Sequence, residues 1–123
     1  MADILLIDDD NLVRTTLANF LAHDGHTVTE ACNGKEGRKL LERRRFDLVL
    51  TDIIMPEQDG LELLMSQLIQ PEKTKIIAIS GGSPGLSQQE LLNLALKLKA
   101  AAVLSKPVSY EQLSATVTGV LSR

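Results

Sequence analysis

A short apolar run that ends in an aspartate constrains this chain more than any other feature. Residues 48–51 read Leu-Val-Leu-Thr, follow Phe46-Asp47, and precede Asp52 and, four residues later, Pro56. A continuous apolar run, as opposed to an alternating one, is typical of a parallel strand covered on both faces. Open α/β sheets bind ligands at the carboxyl ends of such strands. Asp52 is therefore either part of a ligand site or a strand-end residue that only caps a turn.

Three other strand-like runs end in polar residues at the same kind of position. They end in Asp8-Asp9-Asp10, in Ser80-Gly81-Gly82 and in Lys106-Pro107. Asp10 or Asn11 can serve as a helix cap, but one cap does not need three consecutive carboxylates. If the strands are parallel, all four ends meet at one edge of the sheet. The pattern then predicts that an acidic pair, a single aspartate, a serine and a lysine converge there.

Strand-like and helix-like runs alternate along the whole chain. This alternation is typical of a parallel sheet with helices on both faces. Apolar residues at helical spacing mark the helices, and Ser109-x-x-Gln112 reads as a capping box at the start of the last one. The predicted strands are 3–7, 27–31, 47–51, 75–79 and 102–105, and the predicted helices are 11–23, 34–44, a segment that follows Asp59-Gly60 and ends before Pro71, 87–99, and a final helix that begins at Ser109.

Length bounds the domain organisation. A chain of 123 residues is the size of one domain, and about one helix of chain follows Lys106-Pro107. We therefore expect a single domain over residues 1–123, with no DNA-binding or catalytic effector domain. Any output would then be a contact that this domain makes itself.

Charge and cysteine usage exclude several classes of protein. The net charge of −3, from 13 basic and 16 acidic residues, argues against nucleic-acid binding. The run Arg43-Arg44-Arg45 either complements a helix dipole or binds a partner. The single cysteine, Cys32, excludes an internal disulfide and fits a reducing compartment. No apolar run approaches the roughly 18 residues of a membrane helix, and no signal peptide is visible. We expect a soluble, cytoplasmic protein that binds neither membranes nor nucleic acid.

Taken together and in order, the motifs resemble the receiver domain of two-component response regulators over essentially the whole chain. The resemblance implies a flavodoxin-like (βα)5 fold, a doubly wound parallel sheet with strand order 2-1-3-4-5 in a single domain. It also implies a sensor histidine kinase or histidine phosphotransfer protein as phosphoryl donor, and a downstream protein whose identity is open. The motifs that carry it are Ile4–Asp10, Gly25–Val28 with Asn33-Gly34, Thr51–Pro56 with Asp59-Gly60, Ile79–Gly82 and Ser105-Lys106-Pro107.

The resemblance gives roles to the acidic residues. Asp52 would be the phosphoacceptor, because a carboxylate can accept a phosphoryl group and form an acyl phosphate. Mg²⁺ would be bound directly by Asp9, largely through water by Asp8, and by Asp52 together with the backbone carbonyl of Ile54. Such a domain would be a phosphoacceptor switch that catalyses its own phosphorylation and dephosphorylation, and not an enzyme with a separate substrate.

The resemblance also assigns the remaining strand ends. Lys106 and Ser80 would stabilise the phosphoryl group, although Lys106 could instead form a structural salt bridge and Ser80 could be only a turn residue. Pro107 resembles the family's cis-proline. Ser80 would act in the switch together with the position three residues before the lysine, where the family has an aromatic side chain and this chain has Val103. The loop 81–87 is long and glycine-rich for the family, and we expect it to be mobile.

Two alternative functions stay open. One is a Mg²⁺-dependent phosphatase with an aspartyl-phosphate intermediate. That chemistry usually needs a general-acid aspartate two residues past the nucleophile, where this chain has Ile54. The other is a degenerate receiver used only as a scaffold. Val103 is compatible with it, but the complete set of acidic, serine and lysine residues argues against it.

Overall fold

The structure is a computed structural model that describes residues 1–52, 74–81, 87, 89, 90, 93 and 100–123. Five strands and three helices are complete within these residues. They are β1 (Asp3–Ile7), α1 (Asn11–His23), β2 (Thr27–Ala31), α2 (Gly34–Arg43), β3 (Leu48–Asp52), β4 (Lys75–Ser80), β5 (Ala102–Ser105) and a C-terminal helix (Tyr110–Leu121). The helix predicted after Gly60 and most of the helix predicted at 87–99 lie outside the described residues.

The five strands form one parallel sheet in the order β2-β1-β3-β4-β5, which confirms the flavodoxin-like α/β arrangement. The strand boundaries differ from the predictions by at most one residue. Strand β3 starts and ends one residue later than predicted, because Asp52 still pairs in register with Ile79. Strand β4 extends to Ser80, which pairs with Ser105. The carboxylate of Asp52 therefore belongs to the last residue of a strand and not to the following loop.

Two apolar clusters cover the two faces of the sheet. Leu5 and Ile7 point into the cluster beneath α2, whereas Ile4 and Leu6 point into the cluster beneath α1 and the C-terminal helix. All four side chains are fully buried. Each buried Leu or Ile side chain contributes about 1.5–3 kcal/mol relative to an exposed one. The continuous apolar runs are thus explained by strands that are buried on both faces.

Local signals set the helix boundaries. Asp10, and not Asn11, is the N-cap of α1, and its carboxylate accepts hydrogen bonds from the backbone N–H groups of Leu12 and Val13 at 2.9 and 3.1 Å. The predicted capping box at Ser109 and Gln112 is present at the start of the C-terminal helix. Such caps satisfy backbone donors that would otherwise lack partners.

The arginine run begins at the last residue of α2, Arg43, and all three of its residues are exposed. Arg44 forms a 3.2 Å ion pair with Asp3 and lies 4.5 Å over the ring centre of Phe46. Phe46 is buried, so Arg44 covers an edge of the core with its guanidinium plane. Arg44 therefore has a structural role at the amino ends of the strands.

Gly37 explains how closely α2 packs on the sheet. Glycine inside a helix costs about 1 kcal/mol relative to alanine. A Cβ at Gly37 would lie 2.5 Å from Cδ1 of Ile7, the fully buried residue that precedes Asp8. The missing side chain lets the helix approach the strand that leads into the acidic residues.

We predict that Gly37→Ala lowers the free energy of unfolding by about 1–2 kcal/mol, because overpacking against Ile7 outweighs the gain in helix propensity. Gly119→Ala is the matched control: it lies in the C-terminal helix, and nothing lies within 4 Å of its added Cβ. The control should gain up to about 1 kcal/mol. Urea denaturation of both variants measures the difference, and equal stabilisation of both would contradict the packing argument.

Candidate functional site

Three aspartates meet at the carboxyl edge of the sheet. Strands β1 and β3 are parallel neighbours in which Ile7 pairs with Thr51, so the residues that follow each of them come together. Carboxylate oxygens of Asp8, Asp9 and Asp52 all lie within 4.8 Å of one another. Asp8 is fully buried and Asp52 is almost so, whereas Asp9 is exposed. The predicted convergence of the acidic residues is therefore present.

Lys106 brings a positive charge to the same point. Its Nζ lies 2.7 Å from Oδ2 of Asp52 and 3.1 Å from Oδ2 of Asp8. The backbone N–H of Lys106 donates a 2.9 Å hydrogen bond to the carbonyl oxygen of Ser80, and this bond ties the segment after β5 to the end of β4. The Lys106–Pro107 peptide bond is cis. The ammonium group therefore bridges the two buried carboxylates.

Burial and charge act against each other in this cluster. Burial raises the pKa of Asp8, and this effect outweighs the lowering by the hydrogen bond from the Asp10 backbone N–H and by the charge of Lys106. For Lys106, burial favours the neutral form, but the hydrogen bond to Asp52 and the two carboxylate charges together raise its pKa. One ammonium thus faces three carboxyl groups, and two like charges about 4 Å apart repel by about 4 kcal/mol at an effective dielectric constant of 20.

The cluster has the properties of a site for a hard divalent cation. Oδ2 of Asp8 is buried and, despite the nearby ammonium, accepts no hydrogen bond from the described residues. Buried carboxylate oxygens usually have a hydrogen-bond partner, and this one has only an ammonium that it shares with Asp52. Carboxylates are the oxygen ligands that Mg²⁺ prefers in proteins. The aspartates present therefore fit Mg²⁺, while the Ile54 carbonyl, expected as a further ligand, lies outside the described residues.

The two predicted switch residues, Ser80 and Val103, lie on the neighbouring strands β4 and β5. Ser80 is buried at the end of β4, one residue after the register partner of Asp52. Val103 pairs with Ala78 and is partly buried against the apolar cluster beneath α2. Residues 82–86 of the predicted mobile loop lie outside the described residues. Within the described part, Ser80 is at the site edge and Val103 contributes to the core.

The sequence analysis missed two features beside the carboxylates. Arg14 in α1 donates a 2.8 Å hydrogen bond from Nη1 to the backbone carbonyl oxygen of Asp8. Leu12 is 77% exposed at the mouth of a groove of about 420 Å³. The available signals were an arginine one turn into the helix after the acidic run and a leucine two residues after the helix cap. The groove is lined by Leu12, Val13, Thr16, Leu17, Gly81, Lys106, Pro107 and Val108.

Comparison with known proteins decides the family. The model of the response regulator receiver domain family matches residues 4–118. This chain belongs to that family. Receiver domains are phosphoacceptor switches, not classical enzymes, and they typically bind Mg²⁺ at an acidic site. Among the described residues, no helix has the length and apolar character needed to cross a membrane.

Individual relatives agree with this assignment. The transcriptional regulatory protein AfsQ1 of Streptomyces coelicolor is 32% identical over 123 residues, which are all of this chain and 52% of AfsQ1. The response regulator receiver protein CpdR of Brucella abortus is 41% identical over 81 residues, 66% of this chain and 68% of CpdR. The chain thus spans about half of the length of AfsQ1 and about two thirds of CpdR.

A solved structure shows the same fold. A CheY-like receiver domain protein from Methanospirillum hungatei superposes with a TM-score of 0.87 at 28% identity, over 99% of this chain and 94% of that one. The fold of this chain therefore agrees with its assignment to the receiver domain family.

Proposed function

We propose that this receiver domain accepts a phosphoryl group on Asp52 from a phosphohistidine of a sensor histidine kinase or histidine phosphotransfer protein, in a Mg²⁺-dependent reaction. The observation that carries the proposal is the Asp52 carboxylate at the carboxyl end of β3, 2.7 Å from the Lys106 ammonium and within 4.8 Å of the Asp8 and Asp9 carboxylates. A nucleophile, a cation and a set of metal ligands are thereby gathered at one point.

The transfer is a displacement at phosphorus. A carboxylate oxygen of Asp52 attacks the phosphoryl phosphorus, a new P–O bond forms, and the P–N bond to the donor imidazole breaks with its electron pair going to the nitrogen. Phosphoryl transfer needs mainly positioning and neutralisation of the charge on the phosphoryl oxygens. Lys106 provides one such charge, since its raised pKa keeps it protonated.

The acidic residues would bind the cation that completes the charge balance. When bound, Mg²⁺ would supply a second cation against the phosphoryl oxygens, held by Asp9, by Asp8 largely through water, and by Asp52. The Asp8 carboxylate contributes without moving, because it is fully buried and its Oδ1 accepts a 2.9 Å hydrogen bond from the Asp10 backbone N–H.

The same residues support a switch. Phosphorylation adds about 1.5–2 negative charges and three strong acceptor oxygens at Asp52. The Ser80 hydroxyl could move towards these acceptors, and Lys106 would divide its contacts between the phosphoryl group and Asp8. Val103 is packed against the core and lacks a large side chain to turn inward. The output change would therefore run through the segments that follow Ser80 and Lys106, towards a downstream protein. A cytoplasmic location stays a prediction from the sequence.

We predict that Asp52→Asn abolishes labelling by acetyl phosphate and Mg²⁺, because the variant loses the nucleophilic carboxylate with little change in shape. Intact-mass spectrometry measures the gain of one phosphoryl group. Asp47→Asn is the matched control at the opposite end of β3, where the amide oxygen can still accept the hydrogen bond from the Asp3 backbone N–H. A full adduct on Asp52→Asn would show that the acceptor is another residue.

Asp9→Asn should leave the metal-free protein as stable as wild type or raise its melting temperature, because the variant relieves repulsion and the Asp9 side chain makes no hydrogen bond or ion pair with the described residues. At Mg²⁺ concentrations a hundredfold above Kd, the free energy of unfolding of wild type should rise by about 2.7 kcal/mol, and that of the variant far less. Thermal melts with EDTA and across a Mg²⁺ titration test this. Equal Mg²⁺ stabilisation of both proteins would refute Asp9 as a ligand.

The groove beside Lys106 supplies a test of the donor. An exposed Leu12 at its mouth offers an apolar contact for a protein donor but none for a small one. We predict that Leu12→Ser slows phosphotransfer from a histidine kinase or phosphotransfer protein by about tenfold, equivalent to about 1.4 kcal/mol of lost contact, and leaves the rate with acetyl phosphate unchanged. If Leu12→Ser slows the reaction equally with both donors, Leu12 acts in the phosphorylation site itself. If the variant reacts with the protein donor as fast as wild type does, the groove does not contact the donor.

A further inference from the structure

Arg14 in α1 links the acidic segment after β1 to strand β2. Its guanidinium group donates from Nη1 to the Asp8 carbonyl oxygen at 2.8 Å, from Nη2 to Oδ1 of Asn11 at 2.7 Å, and from Nε to Oε1 of Glu30 in β2 at 3.2 Å. Only 15% of the Arg14 side chain is exposed. A planar fork with three acceptors in fixed directions can orient the groups it binds, which a lysine ammonium cannot reproduce.

The acceptor on the Asp8 side is the peptide group that links Asp8 to Asp9. The orientation of this peptide group sets the direction in which the Asp9 Cα and its carboxylate leave the strand. Within the described residues, no hydrogen bond or ion pair holds the Asp9 side chain itself. The position of the Asp9 carboxylate near Asp8 and Asp52 must therefore come from its backbone.

From these contacts we propose that Arg14 is a positioning residue for the cation site: it holds the Asp8–Asp9 peptide group so that the Asp9 carboxylate faces the other two. The proposal rests on the proposed function only in taking Mg²⁺ as the cation. Loss of groups that orient metal ligands typically weakens metal binding 10–100-fold.

The sign of the effect separates positioning from charge. A guanidinium that acted only through its positive charge would oppose cation binding, so its removal would tighten Mg²⁺ binding. If the guanidinium acts by positioning, its removal would instead weaken Mg²⁺ binding. Arg14→Lys isolates the second role because it keeps the charge and loses the fork.

The experiment is isothermal titration of the full chain with Mg²⁺, well below the melting temperature of each variant. We expect Arg14→Lys to raise the Kd for Mg²⁺ by about tenfold. Asn11→Ala, which removes one acceptor of the fork at an exposed position, should raise it by a smaller factor. Arg38→Lys, at an exposed ion pair with Glu42 elsewhere on the surface, should leave the Kd unchanged.

Wild-type affinity in Arg14→Lys would overturn the proposal, even if its melting temperature falls, because a merely structural residue changes stability and not affinity in the folded state. The same weakening in Arg38→Lys would overturn it too. A parallel experiment measures the labelling of wild type by acetyl phosphate, so that the proposed function and this inference are tested separately. Mg²⁺ binding that depends on Arg14 without labelling at Asp52 would refute the proposed function alone, and labelling with unaltered Arg14→Lys affinity would refute this inference alone.

Discussion

The contact of the Lys106 ammonium with two buried carboxylates is the interaction on which the site depends. Asp8 and Asp52 are held away from water at the end of the sheet, and a buried charge is costly unless it is paired. One ammonium cannot balance three carboxyl groups, and burial raises the pKa of Asp8 despite the nearby ammonium. The cluster is therefore left with an excess of negative charge that a divalent cation or a change at Asp52 would alter.

The rest of the fold can support such a cluster because its stability comes from elsewhere. The two apolar clusters bury the central strands on both faces, and they do not include the acidic residues. Local contacts then fix the elements around the site: the Asp10 cap at the start of α1, the close approach of α2 at Gly37, and the Arg14 fork that links Asp8, α1 and β2. A rigid frame of this kind holds like charges near one another without relaxing.

Much of this arrangement could be predicted from local signals. Short apolar runs predicted four of the strands to within one residue, and the capping box at Ser109 predicted the start of the last helix. Strand β2 was predicted with the correct bounds, although only Val28 and Ala31 marked it. The boundary of β3 was wrong by one residue because the sequence pattern does not show that Asp52 pairs with Ile79. Arg14 was missed for a related reason: its acceptors lie in three separate segments of the chain, and only Asn11 is on the same helix.

By itself, the sequence determined which residues could do chemistry and on which strands they lie, because strand burial and helix capping depend on side chains that are neighbours along the chain. The strand order was not among these results; it came from the family resemblance and is confirmed by the sheet. Only the tertiary structure decided that Lys106 bridges Asp8 and Asp52, that Asp8 retains an oxygen without a hydrogen bond from the described residues, and that Arg14 reaches the Asp8 carbonyl. These are contacts between side chains and distant backbone, and their distances depend on how the elements pack.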